Sequence, residues 1–394
     1  MSRYRLEPTP AQEGILLRHC SDARFVWNLC VEQQAHWRPG RRPAPGFAER
    51  CRQLTDARAD NSWLAAGSVT VQHQAVRDFD QAMRNFFRGT HGKPGWRKAG
   101  RDEGFRIVAV KPEHVRLLSR SAAMVFVPKC GWLRFRLSRP VPAGVKSYRV
   151  TRDRAGRWHI AFAVIPPAID GPGTGGIVGV DRGVAVSAAL STGEMLVCPR
   201  ISPRRQARLV LLQRKLVRAK RESTRRRQVR AAVARLRARE ADARKDWCEK
   251  TSTSLARRFD VIRVEDLNIA NMTRSAKGSA VEPGKNVAAK AGLNREISRS
   301  GWGLLIRRLE DKAPGRVQKI KPAYTSQRCS ACGHVDPKSR ESQAGFWCTA
   351  CGYACNADVN AARNIAAGHA VNARGGDRSA GPANREPQLP LLVA

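Results

Sequence analysis

Two pairs of cysteines constrain this chain more than any other feature. Cys329-x2-Cys332 and Cys348-x2-Cys351 enclose the 15 residues 333–347. Each Cys-x-x-Cys turn aims two thiolates to one side, and two such turns complete a tetrahedral site for Zn²⁺. Gly333 and Gly352 each follow the second cysteine of a pair, where a knuckle needs a permissive backbone. The spacing predicts a structural zinc ribbon rather than a redox dithiol pair; closed by four sulfurs, its metal is not catalytic. Cys355 is left over as a bystander. Cys20, Cys30, Cys51, Cys130, Cys198 and Cys248 are scattered, and the odd total of 11 argues against a disulfide framework. Each reads as an idle reduced thiol.

Charge narrows the partner. The 394 residues carry 72 Lys+Arg against 33 Asp+Glu, a formal net charge of +39. Charge of this size repels itself unless a polyanion lies beside it, which points to nucleic acid and away from most enzymes of small anionic metabolites. Met1–Pro10 has no apolar signal core, and no stretch approaches the ~20 uncharged apolar residues of a spanning helix. The expectation is a cytoplasmic protein of two or three domains with no membrane partner.

Arg3–Pro10 reads as a short strand closed by Pro8 and Pro10. A helix follows, with Ile15, Leu16, Arg24, Phe25, Trp27 and Asn28 on a face to be buried. Val76, Phe79, Met83 and Phe86 step by 3, 4 and 3, one helical stripe, with Ser68 as a candidate N-cap and Thr70, His73, Arg77 and Arg84 on the opposite face. From Phe105 to Ile165 short alternating runs are separated by turn signals, among them the hairpin tip Arg154-Ala-Gly-Arg157, and suggest a small antiparallel barrel. The Pro/Gly-rich run 166–176 marks a domain boundary. Ile177 onward reads as strand, bend at Gly183, strand, turn. Ser202–Glu249 reads as two very basic helices in a hairpin with Arg225, Arg226 and Arg227 near its bend; cations there outnumber anions too far for i,i+4 pairing to neutralise them. Residues 271–290 read as loop, Trp302, Leu305 and Leu309 as a helix, Gln318–Tyr324 as a strand, and Asp358–Ala367 as a helix capped at its start. The polar Gly/Pro-rich tail 369–394 reads as disordered.

Three acids stand in unlike contexts. Asp181 interrupts an apolar strand, Glu265 ends the next one 84 residues later, and Asp358 opens a helix 93 residues after that. Burying an unpaired carboxylate costs several kcal/mol, and a divalent cation removes that cost. Acids converging from two strand ends and a helix start can hold two Mg²⁺ ions about 4 Å apart. Taken singly, Asp358 also reads as a plain N-cap and Glu265 as a surface acid. A strand–bend–strand opening with Asp in its first strand is a ribonuclease H-like beginning.

Gly179-Val-Asp-Arg-Gly183, Val264-Glu-Asp-Leu-Asn268, Thr325-Ser-Gln-Arg-Cys-Ser-Ala-Cys-Gly333 and Asp358-Val-Asn-Ala-Ala-Arg-Asn364 resemble the RuvC and zinc-ribbon motifs of TnpB, the transposon-encoded RNA-guided nucleases related to small type V CRISPR effectors. Tyr4–Pro10, Ala23–Asn28, Asn85-Phe-Phe87 and Gly301-Trp-Gly303 extend the resemblance over nearly the whole chain except the tail. It implies an α/β multidomain protein: a wedge β-barrel (1–10 and 105–170), a helical recognition lobe (11–104), a RuvC domain (177–325 and 355–368, with 201–250 as a basic helical insert) and a zinc ribbon (326–354). It further implies Asp181, Glu265 and Asp358 as Mg²⁺ ligands of a two-metal DNA endonuclease, and Cys329, Cys332, Cys348 and Cys351 as Zn²⁺ ligands. The implied partners are one guide RNA per protein and a double-stranded DNA target bearing a short flanking motif. Thr70 and His73 are candidates to lie near that motif, and Arg225–Arg227 to meet nucleic acid, in a bacterial cytoplasm at the nucleoid. Where many members carry Asp-Arg-Asp, this chain has Asn356-Ala-Asp358. A nuclease-inactive RNA-guided repressor of the same fold, and a small type V CRISPR effector, are the rival expectations.

Overall fold

A computed structural model describes residues 2–37, 40, 43–101, 103–279 and 281–368; the tail expected to be disordered, 369–394, lies outside them. The chain forms two compact units: Met1–Pro167 with Ile201–Asp242, and Ala168–Arg200 with the described residues from Ala243 onward.

In the first unit, β1 (Ser2–Leu6) is followed by α1 (Pro10–Ala35), α2 (Phe47–Asp60), α3 (Ser62–Ala65) and α4 (Val69–Phe87), then by β2 (Gly104–Val108), β3 (Val115–Ser119), β4 (Ala122–Val127), β5 (Gly131–Arg136), β6 (Ser147–Arg152) and β7 (Trp158–Phe162). The strands make a seven-stranded antiparallel sheet in the order β2-β6-β7-β1-β5-β4-β3, with β2 and β3 as its outer strands among the described residues. Period-2 alternation sets its buried face: Tyr4, Leu133, Phe135, Tyr148, Ile160 and Phe162 are at most 2% exposed. Their rings meet edge-to-face, Tyr4 with Phe135 at 5.3 Å and with Phe162 at 5.6 Å. Pro10 proves to open α1 rather than to close β1. Thr9 and Gln12 form a capping box ahead of it, and proline's fixed φ suits the first helical position. Phe25 is not on the buried face either; it is 43% exposed, edge-on to Trp63 at 5.0 Å, while Leu16, Ala23, Val26 and Trp27 carry the burial. On α4 the stripe Val76, Phe79 and Met83 is buried, but Ser68 makes no side-chain cap bond. Sequence gave no sign of β3, an edge strand with Leu117 and Leu118 exposed.

Two basic helices follow, α5 (Pro203–Arg218) and α6 (Thr224–Arg258). At ~1.5 Å per residue α6 runs for roughly 50 Å, and the unit boundary falls within it, after Asp242. The segment 201–250, expected to go with the nuclease domain, is thus divided, Ile201–Asp242 grouping with the first unit.

The second unit adds β8 (Ile177–Asp181), β9 (Ala188–Leu190), β10 (Met195–Leu196), β11 (Val261–Glu265), α7 (Ile269–Met272), α8 (Val287–Ser300), α9 (Trp302–Lys312), β12 (Val317–Ile320), β13 (Gly345–Trp347), β14 (Ala354–Asn356) and α10 (Ala357–Ala367). Residues 271–290 are thus not all loop, since α7 ends and α8 begins inside them. The sheet runs β10-β9-β8-β11-β12; β8, β11 and β12 are parallel, while β9 and β10 form antiparallel hairpins. Val178, Val180, Ile262 and Val264 meet Leu305 and Leu309 of α9 in its core.

Gly179 admits α10 on the other face. A Cβ there would lie 1.9 Å from the Ala362 carbonyl oxygen and 2.4 Å from the Ala366 nitrogen, both backbone atoms of α10. Gly179→Ala is therefore expected to destabilise the fold by about 1–3 kcal/mol, as overpacking does, and to lower the melting temperature by roughly 2–12 °C. Calorimetry checks this; an unchanged melting curve would show that α10 does not lie against β8.

Candidate metal centres

The four motif cysteines come together. All their sulfurs lie within 4.8 Å of one another, with Cys329 and Cys351 at 3.8 Å and Cys332 and Cys348 at 3.6 Å. A tetrahedral ion with ~2.3 Å bonds to sulfur sets its ligands roughly 3.8 Å apart, so the donors match zinc. The two knuckles repeat one pattern. Gly333 N–H donates to the Cys329 carbonyl and Gly352 N–H to that of Cys348, while Cys329 and Cys348 N–H groups reach His334 and Tyr353 carbonyls. Both glycines have positive φ, +82° and +69°, which side chains resist. The Cys351 and Ala350 backbone N–H groups favour the thiolate at Cys348, while the neighbouring sulfurs oppose a second one at Cys351. Cys355 stays outside the four-sulfur group. Burial raises the thiols of Cys20, Cys30, Cys51, Cys130 and Cys248, that of Cys130 to about 11 and that of Cys248 to about 12, in keeping with idle thiols.

The three acids meet at the C-terminal ends of β8 and β11, inside the second sheet. β8 and β11 are parallel with Val180 opposite Val264, so Asp181 and Glu265 leave the strand ends side by side. Asp358 is the second residue of α10, which packs on β8. The N-cap is Asn356, whose side chain accepts from the Asp358 and Val359 N–H groups, so the reading of Asp358 as a cap fails. A Cβ on Gly183 would lie 4.0 Å from Asp358 Oδ2, which puts this carboxylate at the bend just past Asp181. Asp181 is pushed up to about 8, first by burial and then by the negative charges of Glu265 and Asp358. Burial also raises Asp358, opposed by Arg340, whose guanidinium is 3.6 Å away. Glu265 is 9% exposed and accepts the Thr325 hydroxyl at 2.6 Å. Buried Arg182 donates to the Glu265 backbone carbonyl.

A divalent ion among these carboxylates would favour their ionised forms and so oppose the rise at Asp181. Their oxygens are more widely spread than the sulfurs. The cysteine cluster is, among the described residues, the one set of three or more donors all within 4.8 Å of one another.

The expected nucleic-acid contacts divide. Thr70 and His73 are half-buried one turn apart on α4, and burial lowers the His73 pKa, leaving a neutral ring. Arg225 is exposed, Arg227 donates to Thr224 Oγ1, and Arg226 binds the Leu216 and Ala219 carbonyls, closing the α5–α6 turn. Sequence reasoning assigned no role to Thr325, Arg340, Asn360 or Asn364. The i,i+4 pair of asparagines just after Asp358 was the available signal.

Residues 302–365 match a family model described as Cas12f1-like, TNB domain; 166–276 match one described as a probable transposase, and 2–42 a helix-turn-helix domain. The InsQ protein of Escherichia coli (strain K12), provisionally named an RNA-guided DNA endonuclease, is 35% identical across 98% of this chain and 96% of its own. The chain belongs to the TnpB family. A Streptomyces pristinaespiralis protein named in the same way is 30% identical over 95% of this chain and 90% of its own. Among solved structures, a Cas12f1–sgRNA–target DNA complex matches with a TM-score of 0.55 at 14% identity, over 89% of this chain and 82% of that one. This likeness of fold agrees with an α/β protein. In this TnpB chain no described helix is long and apolar enough to cross a membrane.

Proposed function

We propose that the protein is an RNA-guided DNA endonuclease in which Asp181, Glu265 and Asp358 hold two Mg²⁺ ions. The convergence of these acids at the parallel strand ends carries the reading, because it gives closely placed, largely enclosed like charges a purpose. The relatives' names support the activity. The strand order β10-β9-β8-β11-β12 supports a ribonuclease H-like RuvC domain, with the seven-stranded sheet as its wedge and α1–α4 as the recognition lobe. Cations bound there would activate a water and stabilise the leaving oxygen of a phosphodiester.

The chain's own groups divide the remaining work. The Thr325 hydroxyl holds the Glu265 carboxylate, and Arg340 offsets charge at Asp358. The four cysteines hold a structural zinc. Arginines along α5 and α6 would meet guide RNA and DNA phosphates, with base pairing carrying sequence choice. All three acids are present, which favours a nuclease over a repressor. The match of residues 166–276 to a model described as a probable transposase favours a transposon protein over a CRISPR effector.

The test is to purify the protein from cells expressing its own locus, sequence the bound RNA, and incubate the complex with Mg²⁺ and plasmids carrying the guide-matched target beside randomised flanks. One discrete RNA and cutting beside one flanking motif are expected. Tight target binding without cutting would contradict the nuclease reading. On the same library, a Thr70→Ala/His73→Ala variant is expected to change or relax the motif; an identical motif would remove these residues from flank recognition.

A further inference from the structure

The segment between β12 and the first knuckle is tied at both ends and along its length. At its start the Thr325 hydroxyl donates to Glu265 Oε1 at 2.6 Å. Along it, Asn364 Nδ2 donates to the Thr325 and Arg328 carbonyls at 2.9 and 2.7 Å. Asn360 Nδ2 also reaches the Arg328 carbonyl, at 2.7 Å, and its Oδ1 accepts the Ser330 N–H at 2.9 Å. At its far end stands Cys329, one of the four clustered thiols. Thr325, Asn360 and Asn364 are 4%, 0% and 3% exposed, so water cannot readily replace these bonds. Both asparagines lie on α10, the helix that begins with Asp358.

The five consecutive residues 325–329 therefore join a sulfur cluster to two of the three acids by separate routes. One runs through the Thr325 hydroxyl to Glu265, the other through the asparagines to the helix bearing Asp358. We propose that Thr325 is a positioning residue that sets the Glu265 carboxylate for a divalent cation, and that Asn360 and Asn364 transmit the order of the zinc knuckle to the acid site. This rests on the reading of the three acids as a cation site and adds the coupling between the two centres. A donor fixed on a ligating carboxylate holds its rotamer, and loss of such partners typically lowers metal affinity about 10–100-fold.

The probe is Mn²⁺, titrated into the zinc-loaded, RNA-free full chain and followed by electron paramagnetic resonance. Wild-type protein is compared with Thr325→Val, Thr325→Ser and Asp181→Ala. Thr325→Val, of nearly equal shape, is expected to bind Mn²⁺ about tenfold more weakly with zinc content unchanged and the fold retained at a slightly lower melting temperature, and Thr325→Ser to bind within about twofold of wild type. A parallel rise in the Mg²⁺ concentration for half-maximal cleavage is expected. Wild-type Mn²⁺ affinity in Thr325→Val, with binding lost in Asp181→Ala, would overturn the positioning role alone. Equal loss in Thr325→Val and Thr325→Ser would also overturn it, because a hydroxyl would then not suffice. Unchanged Mn²⁺ binding in Asp181→Ala would remove the acid site itself, and this inference with it.

Discussion

Asp181→Ala protein is expected to cut a guide-matched plasmid at no more than about one-thousandth of the wild-type rate, the equivalent of ~4 kcal/mol of transition-state stabilisation. RNA retention and target binding should be preserved. Asp181 leaves the end of β8 beside Glu265 and below Asp358, so its loss removes one of the carboxylates that two cations would share. The same change should leave metal-free protein as stable as before, or more so. The Asp181 carboxyl is pushed up to about 8 by burial and by its acidic neighbours. Its ionised form is thus disfavoured in the folded state, and near neutral pH the side chain opposes folding rather than supporting it. Lost cleavage with an undiminished melting temperature is the signature of a group kept for chemistry. Rapid cutting by the variant would refute the assignment, and loss of cutting only through unfolding would reduce Asp181 to a structural residue.

Cys329→Ala should have the second large effect. The core around the sulfur cluster is small, consisting of Cys329, Phe346, Cys348 and Ala357 with Tyr353 and Cys355 packed against them, and among the described residues β13 and β14 form a two-stranded sheet. A core of this size does not hold a fold alone, whereas structural zinc in small peptides contributes about 10–16 kcal/mol at neutral pH. Removing one thiolate should reduce zinc from about one ion per chain to a small fraction, as judged by metal analysis, and expose the segment 326–356 to proteolysis. Because that segment anchors Thr325 and α10, cleavage should fall at least about tenfold as well. A variant that keeps its zinc, resists protease and cuts normally would contradict the zinc assignment.

Local chemistry accounts for what was legible in the sequence. The Cys-x-x-Cys pairs fix their own geometry through knuckle hydrogen bonds within a few residues. The stripe on α4 and the alternation in β1, β5 and β7 follow from helix and strand periods that any half-buried element must obey. An acid in the apolar strand Ile177–Asp181 signalled its own cost. What stayed hidden depends on tertiary partners. Phe25 sits beside Leu16 and Trp27 in pattern, yet it turns outward to Trp63. Thr9 and Pro10 resemble a strand end until Gln12 closes the capping box. Asn356, read as a departure that cost an acid, proves to cap α10, a task Asn and Asp perform about equally well. Thr325 lay inside a recognised motif, but its bond to Glu265 spans 60 residues, and no local spacing encodes a contact at that separation.

The central claim is that three acids from distant parts of the chain form one cleavage site under RNA guidance. Its most direct test is cutting of a plasmid that carries the guide-matched target and flanking motif, by RNA-bound wild-type protein in Mg²⁺, beside a plasmid with a scrambled target. Cleavage of the matched plasmid alone, lost on chelation and lost in each of Asp181→Ala, Glu265→Ala and Asp358→Ala, is the predicted result. Cleavage that persists in all three variants, or that ignores the match to the guide, would contradict it.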